Sequence, residues 1–146
     1  MQVDIERLPL QQLRRVEADA YWCLSKLLER IQENYVFSQP GIQRRVQSLE
    51  ELVRRVDRRL HAHLARHQVS FMQFAFRWMN NLLMRELPLA ATVRLWDTYH
   101  AEPQGFSDFH LYVCAAFLLR FSGAITAEKD FQAGLLFLSL SFFVSL

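Results

Sequence analysis

Residues that break regular structure are scarce in this chain, which has four glycines and four prolines among 146 residues. So few breakers exclude the collagen-like and low-complexity classes, which are rich in one or both of them. Apolar residues make up 51 % of the sequence, a fraction that excludes an intrinsically disordered tail. No strand-like alternation of apolar and polar residues is present, whereas apolar steps of three and four recur. The chain is therefore expected to be all-α.

Cysteine is also rare, and the two present, Cys23 and Cys114, lie far apart in the sequence. Such a pair provides neither a disulfide framework nor the ligand spacing of a zinc site. Each cysteine is flanked by apolar residues, which predicts two buried, reduced thiols in a cytosolic protein. No signal peptide is indicated, because Met1 to Arg7 is polar and acidic and no apolar stretch follows it.

Lysine is nearly absent, since Lys26 and Lys129 are the only two and arginine carries almost all the positive charge. The net charge of +2 indicates no strong global field. The arginine run from Arg44 to Arg66 could be a nucleic-acid footprint, but neither a strongly basic domain nor a recognisable binding module accompanies it. An ion-paired, solvated helix face is the favoured interpretation, so no nucleic-acid partner is expected.

Histidines cluster at His61, His63 and His67, and the step of four places the last two rings on one helical face. The pair lacks the glutamate of a HExxH motif and no third ligand is indicated nearby, so no metal site is expected. There is no GxSxG motif, no glycine-rich phosphate loop and no catalytic cysteine context. The sequence therefore predicts no catalytic residues and no cofactors.

Helix boundaries follow from apolar periodicity and from the positions of breakers and capping residues. Steps of four and three continue from Ile42 through Val56 to His63, within a helix expected to reach His67. That stripe is compatible with a coiled coil, but one long helix lying across its neighbours is favoured. Ser107 or Asp108 is the expected cap of the fifth helix, and Thr126 that of the sixth. About six helices are predicted, over residues 10–33, 42–67, 69–86, 89–99, 107–121 and from 126 onward.

The stretch Phe74 to Tyr99, FAFRWMNNLLMRELPLAATVRLWDTY, combines large apolar groups with charged residues. A tryptophan contributes a large buried area, and its N–H needs a hydrogen-bond partner. A charge on an apolar helix is costly unless it is paired. We therefore expect at least two of five side chains to be buried and paired, either with each other or with backbone carbonyls, and the carboxylates are the natural partners of the arginines. The five are Arg77, Arg85, Arg94, Glu86 and Asp97.

The same stretch resembles the segment of the TBC domains of Rab GTPase-activating proteins in which an aromatic helix with Arg-Trp and Arg-Glu leads to an Arg-Leu-Trp-Asp helix. Two flanks agree with it, EADAYWCLSKLLERIQENYVFSQPGIQ over 17–43 and GFSDFHLYVCAAFLL over 105–119. Together they are similar to the family member 22 subgroup, over residues 10–132. The positions that match the family motif, as structural or partner-facing residues, are Arg77, Trp78, Asn81, Arg85, Glu86, Arg94, Trp96 and Asp97.

The resemblance implies the C-terminal helical part of a TBC domain and GTPase activation toward the GTP form of a Rab-type GTPase in vesicle traffic. TBC domains supply an Arg finger from an IxxDxxR motif and a Gln finger from a YxQ motif. No tyrosine of this chain is followed two positions on by glutamine. Met1, Asp4 and Arg7 have the first motif's spacing with Met in place of Ile, which favours a coincidence. A catalytically incomplete fragment is therefore expected, and the alternative is a non-catalytic binding module or dominant-negative fragment.

The sequence changes character near its end, because residues 133–146 read AGLLFLSLSFFVSL and carry no charge. We therefore predict a TBC-like part over 1–132 and a divergent apolar tail over 133–146. Phe131 to Leu146 is shorter than the roughly 20 residues of a membrane span, so a helix folded back on the bundle is favoured over a tail anchor. The resemblance implies a cytoplasmic protein that reaches Golgi or other endomembranes only through the GTPase.

Overall fold

The computed structural model describes residues 8–127, and of Arg30 it describes only the backbone. Every regular element in this part of the chain is helical, which confirms the all-α expectation. A 3-10 turn at Gln32–Asn34 follows the first helix, and a π-helical turn at Gly105–Phe109 precedes the sixth. The α-helices are α1 Leu10–Ile31, α2 Pro40–Val56, α3 Arg58–Arg66, α4 Phe71–Asn81, α5 Leu89–Ala101, α6 His110–Arg120 and α7 Ser122–Ala127.

The main hydrophobic core lies between α2, α3, α4 and α6. Trp78 of α4 is fully buried within it, and the rings of Phe74 and Phe117 meet it edge-on at 5.2 and 5.4 Å between ring centroids. Such edge-to-face contacts add to the stabilisation that burial of the rings provides. The predicted apolar stripe of α2 faces this core through four residues, which are Ile42, Val46, Leu49 and Val53.

A second, smaller core joins α1, α5 and the π-helical turn. Ile31, Leu82, Tyr99 and Phe106 are its buried members, and Leu27 packs against them. Helix α1 therefore joins the rest of the protein through its C-terminal part. The remainder of α1 is exposed, including Cys23, so the prediction of two buried thiols is correct for Cys114 and wrong for Cys23. The large apolar side chains that α1 exposes are Leu10, Val16, Tyr21, Trp22, Leu24 and Leu28.

The predicted long second helix is two helices, because the chain bends at Asp57. The backbone of Asp57 leaves the helical region, with φ −135° and ψ 82°. Its carboxylate accepts hydrogen bonds from the Leu60 N–H at 2.8 Å and from the Ser122 hydroxyl at 2.5 Å. It therefore caps α3 and ties α3 to α7. Val56 continued the apolar stripe in the sequence, yet it is 61 % exposed because the bend turns it away from the core.

The third predicted helix also ends earlier than expected, at Asn81 instead of Glu86. Ser70 caps α4 in a capping box with Gln73, and Leu82 and Leu83 then adopt left-handed backbone conformations with φ 51° and 62°. This conformation costs a non-glycine residue roughly 1–2 kcal/mol. Both side chains are buried, and their burial offsets the strain.

The starts of the last two helices differ from the sequence prediction. The expected caps Ser107 and Asp108 lie inside the π-helical turn, and no side chain caps α6. This turn requires glycine at 105, because a Cβ there would lie 1.7 Å from the Tyr99 carbonyl oxygen. Helix α7 begins at Ser122, so Thr126 is inside it, where its hydroxyl donates to the Ser122 carbonyl at 2.8 Å.

A buried polar cluster connects the two cores. The Tyr99 hydroxyl lies 2.8 Å from Nδ1 of His110, and the Sγ of Cys114 lies 3.5 Å from Nε2 of the same ring. Burial lowers the pKa of His110 to about 4, although a hydrogen bond with the Trp78 backbone opposes the change. Burial also raises the pKa of Tyr99 and of Cys114. At neutral pH all three side chains are therefore uncharged, as an apolar core requires.

The neutral His110 should make the protein less stable in mild acid. The unfolded chain binds a proton at about pH 6.5 and the folded chain at about pH 4, so the free energy of unfolding should fall as the pH drops between these values. The difference corresponds to on the order of 3 kcal/mol. Urea unfolding across this range measures it. His110→Gln should flatten the dependence, and an equal slope in both proteins would contradict the assignment.

Candidate functional site at the turn between α4 and α5

Several of the motif residues lie around the turn between α4 and α5. The chain reverses direction there through the left-handed Leu82 and Leu83, and α5 begins after Pro88. The backbone N–H and the hydroxyl of Thr92 both donate to the Pro88 carbonyl, at 2.9 and 3.2 Å, at the start of α5. The position and the direction of α5 therefore depend on the contacts that hold this turn in place.

An ion pair closes the base of the turn. Arg77 donates to Glu86 through two bonds, Nε to Oε1 at 2.5 Å and Nη2 to Oε2 at 3.0 Å. Only 3 % of the Glu86 side chain is exposed, compared with 33 % for Arg77. Two parallel bonds fix orientation as well as distance, so the pair sets where Glu86 and the turn lie relative to α4. The amide of Asn81 adds a bond to the Arg77 carbonyl at 3.3 Å.

The two motif tryptophans are also part of the framework. The Nε1 of Trp96 donates to the carbonyl of Leu82 at 3.1 Å, which ties α5 directly to the left-handed residue that ends α4. Its ring meets Phe106 edge-on at 6.0 Å between centroids. Trp78 lies in the main core. Five of the eight motif residues thus hold the turn and its surroundings together, which are Arg77, Trp78, Asn81, Glu86 and Trp96.

The other three motif residues, Arg85, Arg94 and Asp97, are exposed. No ion pair joins any of them to another of the side chains that the structure describes, so the expected pairing of Asp97 with Arg77, Arg85 or Arg94 is wrong. The reason is the orientation of α5, which buries Thr92 and Tyr99 and turns positions 94 and 97 toward solvent. A solvated charge needs no partner to offset desolvation.

Leu89 and Val93 of α5 share this exposed surface, with 76 % and 51 % of their areas exposed. The sequence analysis did not single out Leu89 and Val93. Once Thr92 and Tyr99 are known to be the buried residues of α5, helix periodicity places Leu89 and Val93 away from the core. The sequence analysis also missed Tyr35, whose hydroxyl donates to the Asn80 carbonyl at 3.0 Å and ties the loop after α1 to the end of α4.

The arginine run is largely an ion-paired surface in its first half. Glu51 bonds both Arg54 and Arg55, at 2.7 and 2.8 Å, and these bonds lower the pKa of Glu51 to about 2. Arg44 pairs with Glu33 across the neighbouring loop. Each of these pairs is solvated and contributes little to stability.

The predicted histidine pair is present on α3, with the rings of His63 and His67 4.4 Å apart between centroids. Burial is the largest cause that lowers the pKa of His63, and the nearby charges of His67, Arg66 and Arg59 lower it further. Within residues 8–127, no three side chains of the metal-binding types come together as a candidate site.

No helix among residues 8–127 is both long and apolar enough to cross a membrane. The apolar tail at 133–146 lies outside the described residues, so the choice between a folded-back helix and a tail anchor stays a prediction. Met1, Asp4 and Arg7 also lie outside the described residues, so the interpretation of their spacing as a coincidence stays a prediction.

Removal of Arg77 should destabilise the protein strongly, because it leaves the Glu86 carboxylate buried without a partner. We expect Arg77→Ala to lower the free energy of unfolding by about 3–5 kcal/mol. The neighbouring Arg85→Ala is the matched control and should change it by about 0.5 kcal/mol or less, since Arg85 is exposed. Chemical unfolding of both variants measures the difference, and equal effects would show that the pair does not hold the turn.

Comparison with known proteins places this architecture among its relatives. The model of the Rab-GTPase-TBC domain matches residues 9–126. TBC1 domain family member 22A of Mus musculus is 65 % identical over 136 residues, and GTPase-activating protein gyp1 of Schizosaccharomyces pombe is 55 % identical over 139. These matches cover 93 % and 94 % of this chain but 26 % and 27 % of the two relatives. The chain thus spans about a quarter of their length.

Among solved structures, the crystal structure of the Ypt/Rab-GAP domain of Gyp1p is similar to this fold, with a TM-score of 0.83 and 48 % sequence identity. The similarity covers 90 % of this chain and 40 % of that one. The family match spans most of the chain and includes the whole motif turn. The chain therefore belongs to the Rab-GTPase-TBC domain family.

Proposed function

We propose that this chain contributes to GTPase activation toward a Rab-type small GTPase in its GTP form, as the C-terminal helical part of a TBC domain. Support comes from relatives that are themselves called a GTPase-activating protein and a Ypt/Rab-GAP domain. The observation that carries the proposal is the turn between α4 and α5, where the family motif is complete and five of its residues are engaged in the framework.

The chain by itself should not accelerate hydrolysis. GTP hydrolysis on a Rab needs an Arg to neutralise the charge of the transition state and a Gln to orient the attacking water. No YxQ motif occurs in the sequence, and the Met1, Asp4 and Arg7 spacing departs from the Arg motif at its first position. We therefore assign no catalytic residue to this chain, and we assign the motif residues structural or partner-facing roles.

A non-catalytic binding module is the second candidate. The exposed Arg94, Asp97, Leu89 and Val93 favour it, because they leave a helix surface available to a partner without any catalytic group. In either case we propose that the partner would bring the chain to Golgi or other endomembranes. The two candidates differ in the effect of this chain when an active TBC domain is also present. A binding module should compete with that domain and slow hydrolysis.

Purified residues 1–146 should leave the single-turnover rate of GTP hydrolysis at its intrinsic value on every member of a panel of GTP-loaded Rab proteins. An Arg finger alone raises such rates by roughly 10³ to 10⁵, so its absence is easily measured. A version extended at the N-terminus with both motifs is the positive control. A rate increase of that size with 1–146 would contradict the prediction, and its loss in Arg7→Ala would make Arg7 the finger.

A further inference from the structure

The apolar stripe of α1 is covered by the rest of the fold at one end only. Leu27 and Ile31 pack into the second core, near the end of the helix. Leu24 lies seven residues before Ile31, and Ala20 lies seven before Leu27, so the same stripe continues toward the start of the helix. Both of these residues are exposed. The stripe is therefore buried where α1 meets the second core and uncovered over the turns before it.

Large apolar side chains extend this uncovered region. We call it the α1 surface, and it consists of Leu10, Val16, Tyr21, Trp22, Leu24 and Leu28. Neither hydrophobic core includes any of the six. A helix in a protein owes most of its stability to the packing of its apolar side, and a contiguous exposed apolar patch marks a contact with another molecule or segment. Helix α1 therefore needs a cover that residues 8–127 do not provide.

The charges of α1 favour a protein over a membrane as this cover. Glu17 lies seven residues before Leu24, so an exposed carboxylate interrupts the apolar stripe. The other exposed charges include Arg14, Asp19 and Lys26, and they carry both signs. A helix that lies on a membrane has a basic polar face and an apolar face of large hydrophobic groups. A protein surface can instead place a basic group opposite Glu17 within an apolar contact.

The similarity to the solved structure indicates which protein this is. The family model matches residues 9–126, a range that includes the whole of α1, so α1 is a helix of the TBC domain itself. The similarity to the Ypt/Rab-GAP domain covers 40 % of that chain, so more than half of it lies outside the similar region. We infer that the α1 surface is where the remaining part of a TBC domain, carried by a second polypeptide, assembles with this chain.

The inference makes this chain one part of a two-chain domain. The surface of the second polypeptide that fits is apolar, with room for the rings of Tyr21 and Trp22 and with a basic group opposite Glu17. Assembly rests on membership of the family alone. GTPase activation by the assembled pair rests on the proposed function as well, because the second polypeptide would supply the Arg and Gln fingers.

Co-expression of residues 1–146 with the complementary part of a relative tests the inference. The relative is TBC1 domain family member 22A of Mus musculus, tagged and truncated before the 136 residues that match this chain. We expect the two pieces to co-purify. Cys23 reports the coverage of α1, because it is exposed in this chain while Cys114 is buried. A thiol reagent should modify Cys23 about tenfold more slowly in the complex than in free 1–146.

Leu24→Glu should lower the recovery of the complex by about tenfold or more, because it places a charge in the apolar contact. Leucine and glutamate are both good helix formers, so the free variant should keep its fold, and a Cys114 that stays unmodified shows that the core is intact. Arg59→Glu is the matched control. It introduces the same residue at an exposed position of α3 and should leave co-purification unchanged.

Several results would overturn the inference, and they are distinguishable. If Cys23 is already protected in dilute 1–146, other residues of this chain cover α1. If its protection grows with the concentration of 1–146 alone, a second copy covers α1. If anionic lipid vesicles protect Cys23 and the second piece does not, the cover is a membrane. If the pieces do not co-purify, or if Leu24→Glu co-purifies as well as the wild type, the α1 surface is not the contact.

GTP hydrolysis separates this inference from the proposed function. The co-purified complex should raise the single-turnover rate on at least one GTP-loaded Rab of the panel, while 1–146 alone leaves the rate unchanged. A complex that depends on Leu24 but accelerates hydrolysis on no Rab would uphold the assembly surface and contradict the proposed function.

Discussion

A carboxylate that is shut away from water must be met by positive charge and hydrogen-bond donors, and in this fold Glu86 is met by Arg77. The bond pattern allows little variation, because two parallel contacts define an angle as well as a distance. Glu86 belongs to the turn and Arg77 to α4, so the pair fixes where the chain goes once α4 has ended. The strained backbone of Leu82 and Leu83, the hydrogen bond from Trp96 and the direction of α5 all depend on that geometry.

The same constraint reaches the second core through α5. Tyr99 near the end of this helix packs on Phe106, and its hydroxyl meets His110 at the start of α6. His110 in turn lies against Cys114, a member of the main core. A chain of contacts therefore runs from the ion pair through α5 and back into α6. Because Tyr99, His110 and Cys114 are buried, a displacement of α5 would leave polar atoms without partners in an apolar environment.

Periodicity in the sequence was enough to predict the all-α fold and the buried side of α2, since that apolar stripe faces the main core. It could not predict the ends of α2 and α4. At Asp57 a carboxylate is bonded by Ser122, a residue 65 positions away, and at Leu82 tertiary packing forces a left-handed backbone on a residue that disfavours it.

At the candidate site, too, the sequence predicted part of the arrangement and not the rest. Charges on apolar helices predict pairing, and this holds for Arg77 and Glu86, which are close to the core. It does not hold for Asp97, because one short helix can bury Tyr99 and expose position 97 only two residues away. Cys23 differs from the prediction for the same reason, since its apolar neighbours in the sequence, Tyr21, Trp22 and Leu24, belong to neither hydrophobic core. Sequence shows which residues need a partner, and the orientation of each helix decides which receive one inside the chain.

Hydrogen exchange in Trp96→Phe tests most directly whether the motif turn positions α5. The substitution keeps an aromatic ring and removes the N–H that donates to Leu82. If the turn positions α5, amides from 82 to 101 should exchange faster in the variant, while those of α2 keep their protection because the main core is untouched. Faster exchange spread evenly over α2 and α5, or no change in either helix, would contradict this account.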